Sequence, residues 1–111
     1  MSSLKFNQLF SFHKKEISQA FELIRESFYT PGLKLLISDN LQNIPGGKIL
    51  VIISGKVGNA VERNLLRRQI RSIYYEEKLY LKPKVSIIIL NSQAKKLTFD
   101  EIKKFLVEHL K

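Results

Sequence analysis

The chain has no cysteine and no tryptophan. Without thiols there can be no disulfide scaffold, no thiolate nucleophile and no zinc site that needs sulfur. Histidine is nearly absent too, with His13 and His109 near opposite ends of the chain. No pair of carboxylates sits in an apolar motif as a two-metal nuclease would need, and Ser54, Ser72 and Ser86 have no base in a recognisable constellation. The sequence therefore offers no catalytic residue and no metal site of its own. If the protein takes part in catalysis, another molecule supplies the reactive groups.

Long apolar runs are missing as well. Residues 49–53 and 87–90 are the longest, far short of the roughly 20 residues that span a bilayer. Met1–Phe6 holds no stretch suited to a signal peptide, so a cytoplasmic chain is expected. Three prolines and five glycines, with no repeat or linker, leave no seam between domains. The 111 residues are expected to form one domain over 1–111, with 1–12 loosely ordered.

Acidic charge is the other scarcity. Ten Asp+Glu face nineteen Lys+Arg, a formal net charge of +9. Such an excess repels itself unless a polyanion takes it up, which points to nucleic acid or an anionic surface.

Hydropathy patterning supplies the elements. Ile17, Ala20, Phe21, Ile24 and Phe28 recur at helical spacing, predicting an amphipathic helix from Lys14 to Ser27, with a short strand possible around Ser27–Tyr29. Thr30-Pro31-Gly32 turns the chain. Leu33–Ser38 reads as a strand, 39–47 as a loop forming a hairpin connection, and Lys48–Ser54 as an apolar strand buried on both faces. A glycine-bounded loop at 55–58 opens a long helix from about Asn59 to Leu79. Val85–Asn91 is a second apolar strand. Thr98-Phe99-Asp100-Glu101 is a capping box that starts a last helix through Leu110, with Phe99, Ile102, Leu106 and Leu110 as its stripe. His109 is expected at the surface. The expected fold is an α+β (α/β) two-layer sandwich of three helices and a small mixed sheet of about four strands, in the order α-β-β-β-α-β-α.

Four of the five arginines lie within nine residues: Arg63, Arg67, Arg68 and Arg71. On a helical wheel they share with Asn64 an arc of roughly 140°, while Leu66, Ile70 and Ile73 cluster opposite. A guanidinium pairs two ways with phosphate oxygens and stacks on bases, which an ammonium cannot do. Four like charges at i, i+3 and i, i+4 spacing repel one another, and Glu62 alone lies close enough in sequence to offset them. A solvated face, or pairing with carboxylates on other elements, is the plainer alternative. The preceding Lys56, Gly58 and Asn59 add a cation and backbone N–H groups at the positive end of a helix. Phe21, Phe28, Tyr29, Tyr74 and Tyr75 are candidate stacking faces for unpaired bases.

The run Ser54-Gly55-Lys56-Val57-Gly58-Asn59-Ala60-Val61-Glu62-Arg63-Asn64-Leu65-Leu66-Arg67-Arg68-Gln69-Ile70-Arg71 resembles the signature of the bacterial ribonuclease P protein subunit. That signature is a Lys-x-Gly-x-Ala-Val-x-Arg-Asn core followed by a basic pair and a further arginine. Tyr75-Glu76-Glu77-Lys78, the Ile-rich strand and the Leu97–Ile102 helix start extend the likeness over 48–110, and it is looser over 14–38. The resemblance implies the RNA-binding, non-catalytic protein subunit of an endoribonuclease. In that family the RNA subunit and its bound Mg²⁺ remove the 5′ leader of precursor tRNA. The protein, a monomer by itself with no membrane partner, binds the RNA subunit and holds the leader between its first helix and its sheet. The resemblance also implies a left-handed βαβ crossover, against the roughly 98% right-handed norm.

By position, the resemblance assigns Arg63, Asn64, Arg67, Arg68 and Arg71 to the RNA-facing helix and Lys56, Gly58 and Asn59 to the loop entering it. It assigns Phe21, Ile17 and Leu35 to the leader cleft. Ile17 stands where a second phenylalanine is usual and Leu35 where a tyrosine is common. Leu65 replaces a frequent basic residue, and the basic N-terminal pattern is reduced to Phe12-His13-Lys14-Lys15. Two other classes fit parts of the pattern. A general RNA- or ribosome-binding module would lack any processing role, and a basic protein docking an acidic partner or membrane would leave the arginine arc unexplained.

Overall fold

The computed structural model describes residues 9–39 and 46–111. Along the chain run α1 (Lys14–Glu22), β1 (Ile24–Thr30), β2 (Leu33–Ser38), β3 (Lys48–Ile53), α2 (Ala60–Glu76), β4 (Val85–Leu90) and α3 (Phe99–Leu110), with 3₁₀ turns at Gly55–Val57, Leu79–Leu81 and Ser92–Lys96. This is an α+β fold with the expected element order. One mixed sheet has the order β1-β2-β4-β3. β1 pairs antiparallel with β2, β2 antiparallel with β4, and β4 parallel with β3. The parallel pair is bridged by α2, so residues 48–90 form the strand–helix–strand unit.

Three expectations change. The helix predicted over 14–27 ends at Glu22, because Ile24–Thr30 pairs along β2 with a register shift between Ile24 and Glu26. The β-branched and aromatic residues Ile24, Phe28, Tyr29 and Thr30 favour that pleated surface over another helical turn. The hairpin connection joins β1 to β2 through Pro31-Gly32, not β2 to β3, since β4 inserts between those two. Residues 40–45 of the expected loop lie outside the described residues. β3 is consequently an edge strand and is not buried on both faces: Ile52 remains exposed, and it is β4 that is enclosed.

Strand alternation splits the core in two. Leu33, Leu35 and Ile37 of β2 face one side with Ile88 and Leu90, where α2 contributes Ile70, Ile73 and Tyr74 and α3 contributes Ile102, Phe105, Leu106 and Leu110. Phe105 joins the buried stripe, whereas Phe99 at the helix start stays exposed. The opposite face carries Leu36, Val85 and Ile87, and α1 covers part of it through Ala20. Leu9 is fully buried against the α2–α3 side. Residues 9–12 are therefore docked rather than loose, because Leu9, Phe10 and Phe12 all have apolar surface to fill. Residues 1–8 lie outside the described residues. His109 also departs from expectation. Its ring stacks on Phe28 with centroids 4.0 Å apart, joining α3 to β1.

The β1–β2 turn leaves no room for a side chain. Gly32 has φ of 96°, and a Cβ there would lie 2.8 Å from the Ala94 backbone nitrogen. Gly32→Ala should therefore lower the unfolding free energy by about 2 kcal/mol or more, read as a lower denaturant midpoint at unchanged slope. Gly55→Ala is the control: its Cβ would meet only the Arg63 guanidinium, at 4.0 Å, and the midpoint should stay within about 0.5 kcal/mol of the parent.

Candidate nucleic-acid interface

Asn59 starts α2. Its side chain accepts from the Glu62 N–H at 2.9 Å, while the Glu62 carboxylate accepts from the Asn59 N–H at 3.1 Å. This reciprocal cap fills acceptor positions that an anion would otherwise take at the helix start. Asn59 and Gly58 thereby have structural duties: a Cβ on Gly58 would come within 2.6 Å of that same carboxylate. Lys56 stays exposed in the 3₁₀ turn, whose own N-terminus is capped by Ser54.

Burial of Ile70, Ile73 and Tyr74 sets the rotation of α2. The basic residues follow on the neighbouring arc, which runs from the edge of the core at Arg63 and Arg67 to solvent at Asn64 and Arg68. Asn64 and Arg68 are exposed, and Arg63, Arg67 and Arg71 are half-buried. Asn64, Arg67, Arg68 and Arg71 line one shallow depression together with Val61. Arg67 donates to the Asn64 side-chain oxygen at 2.9 Å, and Arg63 Nε lies 3.5 Å from the Asn59 carbonyl.

None of the four arginines pairs with a carboxylate among the described residues, which include all ten acids. The ion pairs instead join Arg25 to Asp39, Lys48 to Glu16, Lys84 to Glu26, Lys95 to Glu62, and both Lys103 and Lys111 to Glu77. Pairing with carboxylates on other elements, one of the two plainer alternatives for this face, is thus absent among them, and a solvated face is the other. Glu62, the one acid near the cluster in sequence, is turned to its cap and to Lys95 at 3.3 Å. Arg71 feels the crowding: burial, and then the charge of Arg67, hold its guanidinium below the usual range.

The second face of the sheet is only partly covered. In register across the strands lie Tyr29, Lys34, Ile89 and Ile52. Tyr29 is 68% exposed and Ile52 37%. Phe21 on α1 is exposed and Ile17 is half-buried. Leu35 does not join them. It is fully buried on the α2–α3 side, one residue out of phase with Lys34 and Leu36, so its assignment to the leader cleft is corrected by the pleat. The signal was in the strand itself: Lys34 is the one charged residue in Leu33–Ser38 and marks the face that meets water.

Of the aromatic candidates, Tyr74 is core, Phe28 is engaged by His109 and Tyr75 stacks on Tyr80 with centroids 5.9 Å apart, whereas Phe21 and Tyr29 stay exposed. Three further groups near the interface carry no sequence signal that singles them out. Lys95 reaches the start of α2 from the turn after β4, as its pair with Glu62 shows, and Lys96 follows it in that turn. Phe10 lies under Arg71, its ring centroid 5.1 Å from the guanidinium carbon. No local pattern announces either approach, since both depend on segments distant in sequence.

Comparison with known proteins gives a consistent family. A family model described as Ribonuclease P matches residues 5–111. The ribonuclease P protein component of Bacillus velezensis is 52% identical over 58 residues, which is 52% of this chain but only 49% of that relative. The chain thus aligns with about half of that protein's length. The corresponding protein of onion yellows phytoplasma is 31% identical over 105 residues, covering 85% of this chain and 74% of the relative. In fold, the chain is similar to the RNase P protein of Staphylococcus aureus, with a TM-score of 0.76, 24% identity and coverage of 92% and 91% of the two chains.

The cap at α2 has a pH signature. The Asn59 N–H, followed by Lys95, holds the Glu62 carboxyl below its ordinary value of 4.5. Ionised Glu62 therefore stabilises the folded helix start above about pH 4.5, and that contribution is lost as pH falls through the lowered value. Carboxyl-carbon NMR should give Glu62 a midpoint below 4.5 that moves upward in Lys95→Met. An unchanged midpoint would mean that the Asn59 N–H alone sets it.

Proposed function

The chain belongs to the ribonuclease P protein family, and from that premise we propose that it binds the catalytic RNA subunit through α2 and the 5′ leader of precursor tRNA through the open face of its sheet. The observation that carries this reading is the set of four arginines on one helix face, unmatched by any of ten carboxylates. A phosphate backbone supplies the charge they lack, and neutralising it releases counterions. Arg67, Arg68, Arg71 and Asn64 act together at their shared depression, with Arg63, Lys56, Lys95 and Lys96 extending the basic surface around the start of α2.

The leader needs a different chemistry. Unpaired bases stack on aromatic faces while cations beside them follow the backbone. Tyr29 and Lys34 are register partners on the uncovered face, next to Ile89 and Ile52, and α1 presents Phe21. In this reading Tyr29 and Phe21 stack on leader bases, Lys34 meets a phosphate, and Ile17 packs at the wall of the cleft. Gly58 and Asn59 serve the RNA contact indirectly, by shaping the start of α2.

The chain itself does not cut. Cleavage of precursor tRNA to the mature 5′ end belongs to the RNA subunit with its Mg²⁺. In this reading the ion is held by RNA phosphates. The protein's work is positive charge and orientation: it screens crowded phosphates and fixes the leader relative to the bond that breaks. Among the described residues no helix is long and apolar enough to cross a membrane, and the reading places the protein in the cytoplasm with its RNA.

Precursor-tRNA cleavage by a bacterial ribonuclease P RNA at low Mg²⁺, with and without this protein, tests the reading. Rescue with the cut at the mature 5′ end is expected; binding to that RNA without rescue would favour a general RNA-binding module. Arg67→Ala/Arg68→Ala should weaken RNA-subunit binding and flatten its salt dependence by roughly one slope unit for each phosphate no longer neutralised. Tyr29→Ala and Phe21→Ala should instead reduce the preference for precursor over mature tRNA, by about tenfold each, with RNA-subunit affinity nearly intact. Loss of RNA-subunit affinity in those two variants would exclude a separate leader site.

A further inference from the structure

Residues 9–13 connect the two faces of the sheet. Leu9 is fully buried on the α2–α3 side, and Phe10 packs there edge-on to Tyr74, with centroids 6.3 Å apart. Phe12 packs on the opposite face, beneath Lys48 at 4.6 Å. Lys48 in turn pairs with Glu16 at 2.9 Å, and Glu16 accepts from the His13 N–H at 3.0 Å, which starts α1. The segment is therefore anchored at both ends, and Phe10 is held between them.

Phe10 is also where this segment meets the arginine face. Its ring lies against the Arg71 guanidinium, and Arg71 Nε is buried without a hydrogen-bond partner among the described residues. A shielded, unpaired donor persists only where the surrounding packing holds it. The remainder of Arg71 lines the depression shared with Asn64, Arg67 and Arg68. An arginine fixed in this way has given up rotamer freedom before any ligand arrives, so binding costs it less.

Building on the RNA-binding reading, we propose that Phe10 is a positioning residue for the RNA contact: its ring fixes the Arg71 guanidinium, dry on one face, so that Arg71 meets an RNA phosphate already oriented. Phe10 itself touches no RNA and acts through Arg71. The packing of Leu9 and Phe12 on either side gives the ring its rigidity, so the same segment that seats α1 also sets the arginine face of α2.

A double-mutant cycle on binding to the full-length ribonuclease P RNA separates this from a merely structural role. Phe10→Leu keeps apolar volume and removes the ring; it should weaken binding by about three- to tenfold, and Phe10→Tyr should restore it. In an Arg71→Ala background, Phe10→Leu should have no further effect. Equal weakening in both backgrounds, or none in the parent, overturns the proposal. If Phe10→Leu fails to fold, the unsubstituted protein still decides by NMR: Arg71 Nε–H should exchange with solvent much more slowly than that of exposed Arg68, and equal rates overturn it. Weakened binding by Arg67→Ala/Arg68→Ala, alongside a failed Phe10 test, would leave the RNA-binding reading standing and remove only this refinement.

Discussion

Burial of Ile70, Ile73 and Tyr74 against the sheet fixes the rotation of α2, and the rest of the molecule's chemistry depends on that rotation. A helix repeats every 3.6 residues, so a core face placed at 70, 73 and 74 puts 64 and 68 toward solvent and leaves 67 and 71 half-buried at its flank. The strand–helix–strand unit then holds the helix in place, since β3 and β4 pair in parallel on either side of it in sequence. Like charges on one helical face are destabilising, and here the neighbouring carboxylates give no relief. Glu62 is committed to the helix cap and Lys95, and the others pair elsewhere or stay apart. Burial first, and the charge of Arg67 second, hold the Arg71 guanidinium below its usual range.

The sheet divides the work between its faces by strand geometry in the same way. Period-two alternation sends Leu33, Leu35 and Ile37 into the α2–α3 core and leaves Lys34 and Leu36 on the other side. α1 is short and covers only part of that second face. The row from Tyr29 to Ile52 stays open, combining an aromatic ring, an ammonium and two isoleucines. Under the proposed reading, a single strand can lie across this row while a structured RNA meets α2. The two contacts are chemically distinct, aromatic and apolar on one side and guanidinium-rich on the other.

Much of this was legible in the chain. The apolar strands, the arginine arc and the Thr98 capping box follow from spacing, because each rests on contacts within a few residues. Sequence reasoning fails where long-range pairing decides. Whether residues 23–27 continue a helix or join a strand depends on β2, which lies beyond their own sequence window. The insertion of β4 between β2 and β3 makes an edge strand of an apolar run that reads as enclosed. Position alone puts Leu35 in the cleft, although the lysine beside it already marks the phase of the strand. Phe10 offers no signal at all, since its partner is 61 residues away in the chain.

The sequence by itself determined the basic charge, the lack of cysteine and the concentration of arginine on one helical arc. Composition and helical period are local quantities, so no tertiary information was needed. Only the tertiary structure decided which carboxylates are already committed, which face of the sheet stays open, and that residues 9–13 bind both faces together. Each of these is a matter of which distant groups come within a few ångströms, and that is settled when the strands choose their neighbours.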